Sequence, residues 1–322
     1  ATRYEYSVTA LDKAGRESAP STPSSVTTQA VVLTPTSTTL TATSSAVYGH
    51  RVTLTATVTG GATGTVQFLD GDRVVGAATL TGGKATLALY SLGAGKHSLR
   101  AAYVSDGVHA ASISAARTVS IAKAAVSLAK PKVLKGKVVW GSGKVVLSVK
   151  VTGLSSGQIS FVSGKRTIAV GQVTMTSKGA VAKAAILNSV PVGTYRTIRA
   201  VWAGDANHKA GKSRAASKRL TVVRAKPSSV KVVAGSFVKN TQPRALVLVG
   251  RLTNGQTPVG KVKVRVAGRP SITVKLDASM GGMVWVTLKE SKKSVRVWAQ
   301  FRPTDAKHVS SLTSKKVVLK AR

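Results

Sequence analysis

The sequence predicts an all-β chain of three tandem antiparallel sandwiches behind a short N-terminal hairpin. Three observations carry that expectation. Polar and apolar residues alternate with period two in Arg51-Val-Thr-Leu-Thr-Ala-Thr-Val-Thr59, in Lys144–Val151 and in Lys261–Val266, the pattern of strands with one buried and one wet face. Turn signals such as Asp70-Gly71, Gly82-Gly83 and Gly141-Ser142-Gly143 break these runs at the roughly 8–12-residue intervals of a sandwich. A segment of about a hundred residues recurs, and no stretch sustains a capped helical period.

The recurring segment sets the order of the elements. It reads Leu99-Arg-Ala-Ala-Tyr-Val-Ser-Asp-Gly-Val-His109, then Ile198-Arg-Ala-Val-Trp-Ala-Gly-Asp-Ala-Asn-His208, then Val297-Trp-Ala-Gln-Phe-Arg-Pro-Thr-Asp-Ala-Lys-His308. Tyr103, Trp202 and Phe301 are 99 residues apart, and the Asp and His positions keep the spacing to within one residue. Two further landmarks follow in the same order: Gly64-Thr-Val-Gln-Phe68, Gly157-Gln-Ile-Ser-Phe161 and Gly260-Lys-Val-Lys-Val264, and before them Thr57–Gly60, Lys150–Gly153 and Arg251–Asn254. The expected units are 31–123, 124–225 and 226–322, with residues 1–30 standing apart. The joints near Lys123 and Lys226 lack any long Gly/Ser linker, which predicts a semi-rigid series.

Composition bounds the function. The 322 residues are 43% hydrophobic, enough for real cores, but only 4% aromatic. With no cysteine, disulfides, thiolate zinc sites and thiol catalysis are excluded. No apolar run approaches the roughly 20 residues that span a bilayer. The chain begins without a Met or a signal peptide, which reads as a piece of something longer. The net charge is +38, and it is uneven. Residues 1–122 hold 9 basic and 6 acidic side chains, 123–225 hold 19 and 1, and 226–322 hold 20 and 3. The polyanion-seeking character therefore belongs to the last two-thirds.

Gly64-Thr-Val-Gln-Phe-Leu-Asp-Gly-Asp72, Ala77–Leu87, Leu92–Leu99 and Ala102-Tyr-Val-Ser-Asp106 closely resemble the bacterial Ig-like repeats of large extracellular proteins. The first unit matches over nearly its whole length, the second well and the third weakly. Tyr4-Glu-Tyr-Ser-Val-Thr-Ala-Leu-Asp-Lys-Ala-Gly15 and Glu17–Ser21 resemble the last two strands of a fibronectin type III domain. These resemblances imply three Ig-like sandwiches, a truncated fibronectin-like domain, an exported chain, and a role in spacing, adhesion or surface attachment. They imply no enzyme chemistry and no cofactor. Residues 1–30 are open to two readings, the tail of a truncated domain or a strand donor for self-association with a neighbour.

Candidate sites follow from the residues. The repeated Asp-x-x-His (Asp106/His109, Asp205/His208, Asp305/His308) is expected to cap a loop, its carboxylate accepting backbone N–H bonds. A metal or acid/base dyad is the rival, but metal sites want three or four ligands. Asp70-Gly-Asp72 reads as a hairpin turn rather than a calcium loop. There is no nucleophile elbow or phosphate loop, so no enzyme is predicted.

In Lys261-Val-Lys-Val-Arg-Val266, alternation sends the valines inward and puts Lys261, Lys263 and Arg265 on one outer face about 6.7 Å apart. The equivalent positions are Thr65 and Gln67, then Gln158 and Ser160. Lys165, Arg166, Lys212, Arg214, Lys218, Arg219, Lys292, Lys293, Lys315 and Lys316 extend the candidate polyanion surface. One sign at this excess favours an anionic partner over mere solubility. The candidates are an anionic cell-surface polymer, acidic polysaccharide, lipid headgroups or extracellular DNA. Tyr103, Trp202, Phe301, Phe68 and Phe161 fall on core registers. Trp285 and Trp298 fall on outward registers, open to forming a stacking platform or to burial under a loop. The function expected is a non-enzymatic extracellular stalk and attachment segment. The rivals are an accessory region of a secreted hydrolase and a subunit of an extracellular filament.

Overall fold

The computed structural model describes residues 1–322. Strands make up 53% of the chain, and the one helical element is a 3-10 turn at Ala278–Met280. The chain divides into two compact units, 1–123 and 124–322.

In the first unit, Arg3–Tyr6 pairs antiparallel with Ser24–Thr27, Tyr4 opposite Val26, and no residue of either strand is buried. The rest is a sandwich. One sheet has Val52–Val58 at its centre, flanked by Thr38–Ala42 and Lys84–Leu89. The other runs in the order Ser45–Val47, Arg117–Ala122, Gly95–Tyr103, Thr65–Asp70, Arg73–Thr79. Alternation does the sorting. Val52, Leu54, Ala56 and Val58 are buried between the sheets while Thr53, Thr55 and Thr57 look outward. Leu54, Phe68, Leu99 and Tyr103 are the large residues of this core, each worth about 1.5–3 kcal/mol of burial.

The second unit holds two further buried clusters, within residues 128–222 and 225–319. Phe161 and Trp202 sit in the first, and Phe301 in the second. The long strand Arg166–Thr176 links the two sheets of its sandwich. Its first part pairs with Gln158–Ser163 and its last part with Gly179–Ala185. At the crossover a Cβ on Gly171 would stand 2.9 Å from the Lys183 carbonyl carbon, so only glycine lets the strand cross there.

Each sandwich departs from pure antiparallel pairing at an isolated parallel bridge where its chain enters (Thr34 with His109, Ala124 with His208, Ala225 with Val309) and along one short strand. Ser45–Val47 runs parallel to Arg117–Ala122, Lys137–Val139 to Leu220–Val223, and Ser236–Phe237 to Val317–Ala321. After its first strand the chain crosses to the opposite sheet and covers the exposed edge of the last strand. The crossing leaves it running in the same direction as that strand.

The glycine that opens the Gly64–Phe68 and Gly157–Phe161 landmark has a steric cause. Gly64 and Gly157 have φ of 93° and 121°, a region that side chains rarely enter. A Cβ on Gly157 would also lie 2.8 Å from the Trp202 ring.

Within the second unit, the two sandwiches are joined by specific contacts. The Trp140 ring stacks on His308 with centroids 4.4 Å apart. Asn254 Nδ2 donates to the Trp140 carbonyl at 3.1 Å, and Arg224 Nε donates to the Lys307 carbonyl at 3.1 Å. These contacts explain why residues 124–322 pack as one unit while keeping two cores.

Candidate functional site

The repeated Asp-x-x-His closes a loop on itself. Asp106 Oδ1 accepts the backbone N–H of Val108 at 3.0 Å and of His109 at 2.7 Å, and His109 Nδ1 lies 2.8 Å from Asp106 Oδ2. Thr63 adds its backbone N–H and its hydroxyl. Asp205 takes the N–H groups of Asn207 and His208 and sits 2.9 Å from His208 Nδ1. Asp305 takes the His308 N–H and sits 2.8 Å from its Nδ1.

These bonds stabilise the charged form of each carboxylate. The His109 N–H foremost, with the His109 imidazole, Val108 and Thr63 outweighing burial, holds Asp106 far below the usual carboxylate range. For Asp205 and Asp305 burial is the largest influence and acts upward, but bonds from His208 and Asn207, and from His308 and Lys307, together bring both below it. The closed loops then grip the entering backbone of their own sandwich. Ala110 N–H donates to Thr34 O, Lys209 N–H to Ala124 O, and Ser310 N–H to Ala225 O. No three His, Asp or Glu side chains converge as a metal site would require.

The basic residues of the third sandwich form an ordered surface. In Gly260–Val266, Val262, Val264 and Val266 are buried, Lys261 and Arg265 are exposed, and Lys263 is half-buried. The register carries the row across three strands: Lys275 opposite Lys261 opposite Arg302, Thr273 opposite Lys263 opposite Gln300, and Arg265 opposite Trp298. Directly opposed residues share a face, so Lys261, Lys263, Arg265, Lys275 and Arg302 lie together on the outer face of this sheet. In the first sandwich the same register puts Ala77 and Ala102 beside Gln67, with Thr79 beside Thr65. None of these five cations makes a direct ion pair, although the Lys275 charge helps to lower the pKa of the neighbouring Asp277.

The remaining cations are exposed but spread out. Lys165 and Arg166 form the tip of the hairpin after Gln158–Ser163, Lys212 and Arg214 flank Ser213, and Lys218 and Arg219 precede Leu220–Val223. Lys218 and Arg219 line a shallow concavity with Arg196 and Thr197. Lys292 and Lys293 lie in the loop before Val295–Pro303. Lys315 and Lys316 precede the last strand, and Lys316 Nζ hangs 5.2 Å from the Trp298 ring centroid.

The structure separates the two tryptophans. Trp298 is half-buried on the cationic sheet, whereas Trp285 is 55% exposed on the opposite three-stranded sheet. They form no common platform, because Met283–Thr287 and Val295–Pro303 belong to different sheets of the sandwich. Neither is covered by a loop to the depth of a core residue.

Two features escape the sequence reading. His97 Nδ1 meets Asp70 Oδ2 at 2.6 Å and its Nε2 meets the Gly93 carbonyl at 2.8 Å. Burial lowers the His97 pKa, and the bonds to Asp70 and Gly93 more than reverse that, so it lies above the ordinary value. Those partners are 27 and 4 residues away, and no motif marks the pairing. The second feature is the apolar surround of Trp285, signalled by the unbroken run Ala245-Leu-Val-Leu-Val249, in which both strand faces are apolar.

Residues 37–122 match the family model of the bacterial Ig-like domain, group 3. No curated protein matches the chain in sequence. Among solved structures, the three N-terminal domains of the bacteriophage RB49 highly immunogenic outer capsid protein align over 88% of this chain and 99% of that one, at 12% identity and TM-score 0.26. The chicken CNTN1 FN1–FN3 domains align over 89% and 98%, at 13% identity and TM-score 0.26. Extracellular domains 3–5 of Drosophila OTK align over 87% and 94%, at 12% identity and TM-score 0.28. The all-β class expected from the alternation is the class observed, and the bacterial Ig-like resemblance read from the first repeat is the one matched.

Proposed function

We propose that the chain is a non-enzymatic extracellular attachment segment. Residues 31–123 act as a near-neutral Ig-like spacer, and 124–225 and 226–322 are basic Ig-like repeats that bind anionic surface polymers. The observation that carries this reading is the outer sheet of the third sandwich, where Lys261, Lys263, Arg265, Lys275 and Arg302 share one face without an ion-pair partner. Exposed cations on strand faces release counterions when a polyanion docks, so affinity falls log-linearly with salt. Residues 1–30 expose both faces of a two-stranded hairpin, which supports their reading as the end of a fibronectin-like domain. The bacterial Ig-like match over 37–122 supports an extracellular or cell-surface setting.

The test is a salt titration of the full chain against duplex DNA, an anionic wall polymer and a neutral dextran. Binding to both anions should weaken steeply with salt, and dextran should not bind. Replacing Lys261, Lys263 and Arg265 by Gln keeps the buried valines and should lower the salt slope by up to about three. Salt-independent binding, or an unchanged slope in the triple variant, would refute the proposal.

A further inference from the structure

The outward face of the three-stranded sheet changes character along the chain. In the first sandwich it is threonine: Thr39 opposite Thr57, Thr41 opposite Thr55, and Thr55 opposite Thr86. In the second, the equivalent strands Val145–Thr152 and Gly179–Ala185 belong to a larger sheet, and their outward face is largely polar and basic, with Ser148 opposite Lys183 and Lys150 opposite Val181. In the third, Leu246 lies opposite Trp285 and Leu248 opposite Met283. Trp285 and Met283 are each 55% exposed, and Val233, bonded through its N–H to the Leu246 carbonyl, is 41% exposed. The fold does not require this patch, since threonine serves the same strand positions in the first sandwich. A contiguous apolar patch on an otherwise highly charged surface marks a contact site.

Charge selects the occupant. Lys231 stands opposite Leu248, and the Arg244 guanidinium lies 5.0 Å from the Trp285 ring centroid. No carboxylate occupies an outward position on these three strands. A second copy of this face would bring together two sandwiches that each carry 20 basic against 3 acidic residues, and they would repel. The occupant is therefore anionic, and it must also offer a flat apolar surface. A uronic acid residue has both, with a C–H ring face for Trp285 and Leu246 and a carboxylate for the adjacent guanidinium fork. Single-stranded nucleic acid fits less well, because its successive bases want successive aromatic platforms, and Trp285 is the one aromatic residue on these three strands.

We infer that this face binds an acidic polysaccharide, with sugar rings on Trp285 and carboxylates at Arg244. The inference rests on the polyanion-binding reading of the same sandwich but uses the sheet opposite the cationic ladder.

The experiment measures binding of the full chain to polygalacturonate, to poly-L-glutamate, which has carboxylates without rings, and to oligo-dT, with Trp fluorescence as a second readout. Polygalacturonate should bind at least tenfold more tightly than poly-L-glutamate at equal charge and salt. Trp285→Ala should remove about tenfold of affinity for polygalacturonate and leave poly-L-glutamate unchanged, and Trp285→Tyr should restore most of the loss. Arg244→Gln should weaken polygalacturonate and spare the thermal midpoint. The side chain of Trp285 points outward, and circular dichroism of each variant confirms folding. Equal affinity for the two carboxylate polymers, or an unaffected Trp285→Ala, would overturn the inference while leaving salt-dependent binding intact. A preference for oligo-dT lost in Trp285→Ala would reassign the face to nucleic acid and overturn it too. Loss of all salt-dependent binding in the unmodified chain would instead sink the underlying polyanion reading.

Discussion

The first and third sandwiches place like residues inward and unlike residues outward. Tyr103 and Phe301, which hold the same repeat position, are both buried, and so are Val66 and Val262. Beside them, Thr65 and Gln67 in one become Lys261 and Lys263 in the other, and a threonine face becomes Leu246, Leu248, Met283 and Trp285. Inward positions are held by packing, where a single methylene is felt. Outward positions of a strand tolerate wide change, so recognition is written there without disturbing the scaffold.

The largest effect should come from the shared interior. Phe68→Ala and Phe301→Ala should each cost about 3–5 kcal/mol, read as a shifted urea midpoint of the corresponding sandwich. A cost under about 1 kcal/mol at either position would show that its sandwich lacks the close-packed interior described for it. The outer faces should then be exchangeable. In a chain carrying Gln at 261, 263 and 265, the substitutions Thr65→Lys and Gln67→Lys should restore about two units of salt slope toward DNA. If binding does not return, position on the third sandwich matters beyond charge.

The Asp–His loops offer a smaller contrast. Asp106 accepts the Val108, His109 and Thr63 N–H groups and the Thr63 hydroxyl, whereas Asp305 accepts backbone bonds from His308 and Lys307. Asp106→Ala should therefore lower the melting point of its sandwich by roughly 4–8 °C, and Asp305→Ala by less. Calorimetry giving the reverse order would break the comparison.

The smallest effect is pH-linked. The pKa of His97 is raised in the folded state, so its contribution is complete below the ordinary histidine value of about 6.5. It fades as pH rises through the higher folded value. Melting of the first sandwich should decline from pH 6 to pH 8, and His97→Gln should flatten that decline. The depressed carboxyls of Asp106, Asp205 and Asp305 act in the opposite sense. Their contribution is present above about pH 3.9 and is lost as pH falls below it, so all three sandwiches should weaken together in acid.

Much of the fold was legible because it is encoded locally. Period-two alternation in Val52–Val58 and Gly260–Val266 names the buried residues one by one. The hundred-residue spacing orders the repeats, and the Asp-x-x-His loop bonds within four residues of itself. Recurrence of Asp106, Asp205 and Asp305 in every copy pointed to a loop staple, and each carboxylate accepts backbone N–H bonds from its own loop. The cationic row was legible only along its own strand. That Lys275 and Arg302 flank Lys261 depends on the pairing register of three strands, which no local pattern states.

By itself, the sequence determined the all-β class, the repeat order, the inward residues and the strong basic charge of residues 123–322. Each of these follows from neighbours a few positions apart or from simple counting. Only the tertiary structure decided which strands run parallel, that Trp285 and Trp298 lie on opposite sheets, that His97 meets Asp70, and that Trp140 of one sandwich stacks on His308 of another. These depend on how distant segments come together. A strand's alternation says which side of it is wet, but not which strand will lie beside it.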